Sequence, residues 1–159
     1  MIDPETFDRT DPTHERYVRR AIELAREAAD RGDDPYGSLL VRDGEILREA
    51  RNSTVTEDDV TAHPELKLAR WAERELPPAA RRETVMYTST APCPMCSGGI
   101  YLAGLGGVVY SVTGAMAAEA AGIDRTLPET DFLERGGAPV PQVGPVLPEA
   151  GRAVHRERS

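Results

Sequence analysis

The sequence is poor in cysteine, lysine and aromatic residues. Its 159 residues include two cysteines, one lysine (Lys67) and 5% aromatic residues. Two cysteines cannot form the several disulfides that stabilise small secreted domains, and no segment approaches the roughly 20 apolar residues of a membrane-spanning helix. The first residues are acidic and lack the basic and apolar regions of a signal peptide. We therefore expect a single cytoplasmic domain over residues 1–159 with no membrane partner.

Positive charge is also scarce, since the formal net charge is −8 at pH 7. An acidic surface repels phosphate groups, whereas affinity for nucleic acid depends largely on neutralising them. Nucleic acid is therefore not an expected partner. The one local basic cluster, Arg152, Arg156 and Arg158, is predicted to be a solvated helix face.

A short motif indicates the chemistry. His63-Pro64-Glu65 is followed thirty residues later by Pro92-Cys93-Pro94-Met95-Cys96, which is the H-x-E…P-C-x-x-C pattern of the zinc-dependent deaminases. The resemblance implies that His63, Cys93 and Cys96 bind one Zn²⁺ ion per chain. It also implies that Glu65 is the catalytic proton shuttle.

The residue types suit that chemistry. Zinc takes nitrogen and sulfur ligands in a tetrahedron, and a catalytic site keeps three protein ligands and one position for water. The ion lowers the pKa of that water from about 15.7 to about 7. A nearby carboxylate such as Glu65 can then carry protons from the water to a ring nitrogen and to a leaving amine.

The local sequence also places the ligands well. A strand is predicted at 84–88, followed by a helix over about 93–104. Cys93 and Cys96 then share one face of the first helical turn, where the helix dipole favours the thiolate form. Proline suits the first position of a helix, so Pro64 predicts that His63 lies at a helix start.

Two plainer interpretations explain less of the sequence. A thioredoxin-like Cys-x-x-Cys pair would leave His63 and Glu65 without a role. A structural zinc site usually has four protein ligands, and the sequence offers no fourth cysteine or suitably spaced histidine. The other two histidines, His14 and His155, lie near the ends of the chain and are predicted to be solvated surface residues.

Helical and strand patterns alternate along the chain. Apolar spacing after Asp11-Pro12 predicts a helix that Gly32 ends, and Asp43-Gly44 predicts a hairpin turn between strands at 36–42 and 45–51. A polar loop then leads to His63. Downstream we predict a helix from Pro64 to Pro77-Pro78, a parallel β-α-β unit (84–88, 93–104, 107–112), an alanine-rich helix after Gly114, and a last helix over about 149–157.

Two weaker motifs extend the likeness, namely Pro35-Tyr36-Gly37 before a strand and Asn52 after the hairpin. Over residues 35–112 the chain resembles the cytidine deaminase-like superfamily, and within it the guanine, cytosine and tRNA adenosine deaminases. The resemblance implies an α/β fold, a three-layer α/β/α sandwich with a mixed five-stranded sheet. It also implies that Asn52 binds substrate and that the protein is a homodimer, in which Ser97-Gly98-Gly99 could allow close approach.

One departure affects the choice of substrate. Relatives usually carry alanine or glycine between the histidine and the glutamate, whereas Pro64 has no backbone N–H to offer a ligand. We predict hydrolytic deamination of a free nucleobase or nucleoside with release of ammonia, a guanine-like purine being favoured over a cytosine-type pyrimidine. The alternatives are tRNA adenosine deamination and a non-catalytic, zinc-stabilised binding protein.

Overall fold

The protein is built around one mixed five-stranded sheet. The computed structural model describes residue 7, residues 10–124 and residues 127–157. The strands are β1 (Gly37–Arg42), β2 (Glu45–Arg51), β3 (Val85–Thr90), β4 (Gly107–Val112) and β5 (Gln142–Val143). Their order is β2-β1-β3-β4-β5, with β1 antiparallel to β2 and β3, and with β3, β4 and β5 parallel. The predicted sheet is therefore confirmed.

Seven helices are formed by the described residues. They are α1 (Thr13–Asp30), α2 (Pro64–Glu75), α3 (Pro78–Arg82), α4 (Pro94–Ala103), α5 (Gly114–Ala121), α6 (Phe132–Arg135) and α7 (Pro148–Arg156). The positions of the short elements α3, α6 and β5 were not predicted, because two to five residues are too few to show a periodic pattern. Within the described part of the chain, no helix is both long and apolar enough to cross a membrane.

Helices cover both faces of the sheet because neighbouring strand residues point to opposite sides. Leu39 and Val109 pack with α1 and α7, whereas the adjacent Leu40 and Val108 pack with α2 and α4. All four side chains are fully buried. The two apolar clusters lie on either side of the sheet, which confirms the three-layer sandwich.

Gly37 lets α1 lie directly on the start of β1. A Cβ atom at this position would stand 2.5 Å from the Ala21 carbonyl oxygen and 2.5 Å from the Ala25 nitrogen, which is closer than any side chain tolerates. The residue before it, Tyr36, accepts a hydrogen bond from the backbone N–H of Asn52 at 3.0 Å. The Pro-Tyr-Gly segment and the asparagine, which are separate in sequence, are thus neighbours.

His14 was predicted to be a solvated surface residue, and this was wrong. It is 5% exposed, and its Nδ1 lies 2.8 Å from the Tyr87 hydroxyl. The ring also contacts Phe7 at 5.6 Å between centroids. Position near the end of the chain was a poor guide, because the first turn of α1 packs on the central strand β3.

Candidate metal and substrate site

Helix starts bring the three predicted metal ligands together. His63 is the N-cap of α2 and Cys93 the N-cap of α4, while Cys96 lies in the first turn of α4. The His63 Nδ1 atom lies 3.7 Å from Cys93 Sγ and 3.5 Å from Cys96 Sγ. Among the described residues this is the one group of three or more His, Cys, Asp or Glu side chains close enough to share an ion.

These distances fit a tetrahedral zinc ion. Bonds of about 2.3 Å to sulfur and about 2.0 Å to nitrogen, at tetrahedral angles, separate the two ligand atoms by about 3.5 Å. The Nδ1–Sγ distances of 3.5 and 3.7 Å match that separation without rearrangement. Two sulfurs and one imidazole nitrogen are also the donor types that zinc prefers.

The two cysteines and the histidine shift one another's pKa values. Hydrogen bonding from Cys96 and from His63 lowers the pKa of the Cys93 thiol to about 4. The hydrogen bond to Cys93 also raises the pKa of His63, and the same contact together with burial raises the pKa of Cys96. Zinc binds cysteine as the thiolate and histidine as the neutral imidazole, so binding of the ion releases protons from such a group.

Glu65 lies beside the ligands but is held by a different part of the fold. It is 5% exposed, and burial raises the pKa of its carboxyl group to about 7. Its Oε1 atom lies 3.2 Å from the Ser38 hydroxyl of β1. Sequence reasoning missed Ser38, although a polar residue inside the apolar strand 37–42 was a usable signal.

Asn52 forms a turn and lines the cavity. Its Oδ1 accepts hydrogen bonds from the Thr54 backbone N–H at 3.0 Å and from the Thr54 hydroxyl at 2.9 Å. This arrangement is an Asx turn. Because the oxygen is committed to the turn, the Nδ2 amide is the group that Asn52 can offer to a ligand.

The loop between Asn52 and His63 is anchored by a buried aspartate. Asp33 is 8% exposed. Its Oδ1 accepts from the backbone N–H groups of Val55 at 3.1 Å and Thr56 at 2.8 Å, and its Oδ2 accepts from the Thr56 hydroxyl. The segment that follows α1 therefore fixes the loop that leads to His63.

A cavity of about 230 Å³ joins these groups. His63, Cys93 and Glu65 lie in its wall together with Asn52, which brings four of the five predicted site residues into one space; the fifth, Cys96, is fully buried behind them. The other lining residues are Asp34, Tyr36, Thr90, Ala91, Gly114, Ala117, Ala118, Ala121, Ile123, Asp124, Leu127 and His155.

His155 was predicted to be a solvated surface residue, and this was wrong. It is 1% exposed and lines the cavity. The periodicity of the last helix could not show that His155 is buried, because its burial depends on how α7 packs on β4 and α5.

The basic cluster of α7 is partly neutralised. Arg152 lies 2.7 Å and Arg156 3.5 Å from carboxylate oxygens of Glu149. The third member, Arg158, lies outside the described residues.

Comparison with known proteins gives one consistent family. Residues 11–112 match the model of the cytidine and deoxycytidylate deaminase zinc-binding region. The chain is similar to guanine deaminase of Bacillus subtilis (strain 168), with 40% identity over 108 residues, 67% of this chain and 69% of that protein. The X-ray structure of guanine deaminase from Bacillus subtilis has 36% identity and a TM-score of 0.62, over 82% of this chain and 85% of that one.

Two further relatives have other substrates in their names. A probable cytosine deaminase of Schizosaccharomyces pombe is 26% identical over 148 residues, 88% of each chain. A tRNA-specific adenosine deaminase of Bacillus subtilis (strain 168) is 34% identical over 96 residues, 60% of each chain. The three relatives share a deamination reaction and differ in what they deaminate.

Proposed function

We propose that this chain acts on a free nucleobase or nucleoside. It belongs to the cytidine and deoxycytidylate deaminase zinc-binding family and is a zinc-dependent hydrolytic deaminase. A guanine-like purine is the favoured substrate and a cytosine-type pyrimidine the next. The proposal depends above all on the cavity in which His63, Cys93, Glu65 and Asn52 meet. The 40% identity to a guanine deaminase supports the choice of a purine.

His63, Cys93 and Cys96 would hold the zinc ion. That ion would supply a water acidic enough to act as a nucleophile near neutral pH. The net reaction adds water to an amino-bearing ring carbon, forms a carbonyl group there and releases ammonia.

Glu65 moves the protons of this reaction. Its carboxyl group lies in the same cavity as the ligands, and its pKa of about 7 suits both uptake and release of a proton near neutrality. It accepts a proton from the attacking water, delivers one to the neighbouring ring nitrogen and protonates the departing amine. Ser38, with its hydroxyl 3.2 Å from Oε1, holds the carboxylate in place.

Asn52 orients the substrate. Its Nδ2 group donates to a carbonyl oxygen or a ring nitrogen of the base, since its Oδ1 is bound by Thr54. Ala117, Ala118 and Ala121 of α5 form another part of the wall. Their small side chains leave room for a flat ring system.

Charge argues against a tRNA substrate. The chain carries a net charge of −8, and Arg152 and Arg156 are both engaged by Glu149. Among the described residues that line the cavity, there are three carboxylates and neither arginine nor lysine. An uncharged base enters such a cavity at lower electrostatic cost than a phosphodiester chain.

Ammonia release from a substrate panel tests the proposal. The zinc-loaded protein is incubated with guanine, cytosine, adenine, their nucleosides and a tRNA, with the Glu65→Gln variant as control. We expect guanine to be converted fastest and the variant to be nearly inactive. Inosine formed in tRNA, with all free bases and nucleosides unchanged, would overturn the proposed substrate class.

A further inference from the structure

His155 belongs to the substrate cavity although it lies far from the family motifs. The residues matched by the family model end at 112, and His155 follows in the last turn of α7. Its side chain is 1% exposed and lines the same cavity as His63, Glu65 and Asn52. Neither the motif nor the family match assigns it a role.

Two residues of the site hold the imidazole ring. Its Nε2 atom lies 3.2 Å from the Thr90 hydroxyl, and its centroid lies 5.5 Å from that of Tyr36. Thr90 ends the strand that leads to Cys93, and Tyr36 accepts the backbone hydrogen bond of Asn52. The ring is therefore positioned by the same elements that position a metal ligand and the proposed base-binding residue.

The helix that carries His155 is fixed on the sheet. A Cβ atom on Gly151 would stand 2.2 Å from Ser111 Oγ, so α7 approaches β4 as closely as glycine permits. The Ser111 hydroxyl donates to the Leu147 carbonyl oxygen at 3.0 Å, and Val154 is buried in the core. These contacts fix α7 on the sheet, so His155, which follows Val154, has a fixed place in the cavity wall.

We propose that His155 contacts the bound base and determines which heterocycle the enzyme prefers. Imidazole is planar and carries ring nitrogens that donate or accept hydrogen bonds, so it can read the edge of a planar heterocycle. In the cavity it accompanies Asn52, whose Nδ2 group only donates. The two residues together recognise a base with hydrogen-bonding groups on two of its edges, as a purine has. This inference rests on the proposed function of the same site.

Two substitutions test the role, and a second buried histidine provides the control. His155→Phe keeps a planar ring but removes both nitrogens, and His155→Gln keeps a polar side chain. The control is His14→Phe. His14 is also a buried histidine beside a hydroxyl group, that of Tyr87, but it does not line the cavity. We would measure zinc content and thermal unfolding for each variant. We would also measure kcat and KM for guanine and cytosine, and the binding of the guanine analogue 8-azaguanine by calorimetry.

We expect His155→Phe to retain zinc and to lower kcat/KM for the favoured base about tenfold or more, mainly through KM, because one substrate hydrogen bond is lost. The ratio of guanine to cytosine turnover should shift, 8-azaguanine binding should weaken, and His155→Gln should recover part of the loss. His14→Phe should lower the unfolding temperature and leave the ratio unchanged.

The outcomes separate this inference from the proposed function. If the wild-type protein converts or binds a free base and His155→Phe does so with the same ratio and affinity, His155 only fills the core and the inference is wrong. If the wild-type protein acts on no free base or nucleoside, the proposed function itself fails.

Discussion

The Ser38 hydroxyl lies 3.2 Å from the Glu65 carboxylate, and this contact joins β1 to the first turn of α2. Ser38 also lies 2.8 Å from the Thr88 hydroxyl, which donates to the Thr90 carbonyl oxygen. A chain of hydroxyl groups thus runs from the proposed proton shuttle across two strands. Ser38 and Thr88 are fully buried, so the Glu65 carboxylate that contacts Ser38 has little freedom to move.

Substitution of these two residues should affect turnover to different degrees. Glu65→Gln keeps the side-chain shape but cannot carry a proton, so kcat should fall by about 10²–10⁴ with zinc content unchanged. Ser38→Ala removes the hydrogen bond to Glu65, together with the contact to Thr88, and should lower kcat by about threefold to tenfold. Ser89→Ala is the control, since this buried serine accepts from the Gly37 N–H and does not contact Glu65. Equal kcat in Glu65→Gln and wild type would show that another group carries the proton.

Removal of either cysteine should remove the metal. We expect freshly purified protein to contain about one zinc per chain, and Cys93→Ala and Cys96→Ala to lose it and to unfold at lower temperature, because metal binding is coupled to folding. Elemental analysis and thermal denaturation measure the two effects. Met95→Ala, in the same helical turn and partly exposed, should leave the zinc content unchanged. A wild-type protein free of metal would contradict the assigned ligand set.

We expect Asn52 to have two roles, in a turn and in substrate binding, that substitutions can separate. Asn52→Asp keeps an oxygen for the Asx turn with Thr54 but loses the Nδ2 donor, so KM should rise with little loss of stability. Asn52→Ala loses both and should also be less stable by about 1 kcal/mol. Thr54→Val removes the hydroxyl that bonds to Oδ1 and leaves the donor in place. If Thr54→Val raised KM as much as Asn52→Asp, the asparagine would act only through the turn.

The ion pair between α1 and β2 should make stability depend on acid pH. Arg20 contacts both carboxylate oxygens of Glu49, at 2.6 and 2.9 Å, and this hydrogen bonding lowers the pKa of Glu49. The stabilisation is present above the pKa of the unfolded glutamate, about 4.3, and is lost as pH falls through the lower folded value. Arg20→Gln should therefore destabilise the fold by about 1 kcal/mol or less at pH 7, and this cost should shrink as the pH falls below about 4.3.

Urea unfolding of the Arg20 variant at several pH values measures this difference. Arg26→Gln is a suitable control, because Arg26 makes a longer and more exposed contact, 3.7 Å from Glu157. A destabilisation by Arg20→Gln that stayed constant down to pH 3 would exclude Glu49 as its origin.

We expect the protein to be a homodimer that uses the exposed face of α4. Leu102 is 83% exposed and Met95 38% exposed, and a Cβ atom on Gly98 between them would meet nothing within 4 Å. Gly99, in contrast, packs against Leu66 of the same chain. Light scattering should give twice the chain mass for the wild type and one chain mass for Leu102→Asp. Val60→Asp, at an equally exposed loop residue, should remain dimeric; a monomeric wild type at micromolar concentration would end the proposal.

Features that depend on neighbouring residues could be predicted from the sequence. Asp43 and Gly44 both adopt positive φ, as the tight turn between β1 and β2 requires, and the hairpin was predicted from that pair. His63 and Cys93 are N-caps because a proline follows each of them. The metal motif belongs to this class, since its spacing fits helix starts that local sequence specifies.

Features that depend on distant segments were decided by the tertiary structure. Ser38 approaches Glu65 across 27 residues of sequence, and His155 approaches Thr90 across 65. No periodicity within α7 shows which face of this helix meets a cavity formed by several other segments of the chain. The sequence therefore determined the metal ligands and the reaction, because these depend on residue type and local spacing. The packing of α7 on the sheet decided which side chains line the cavity, because contacts between distant segments form only when the whole sheet is assembled.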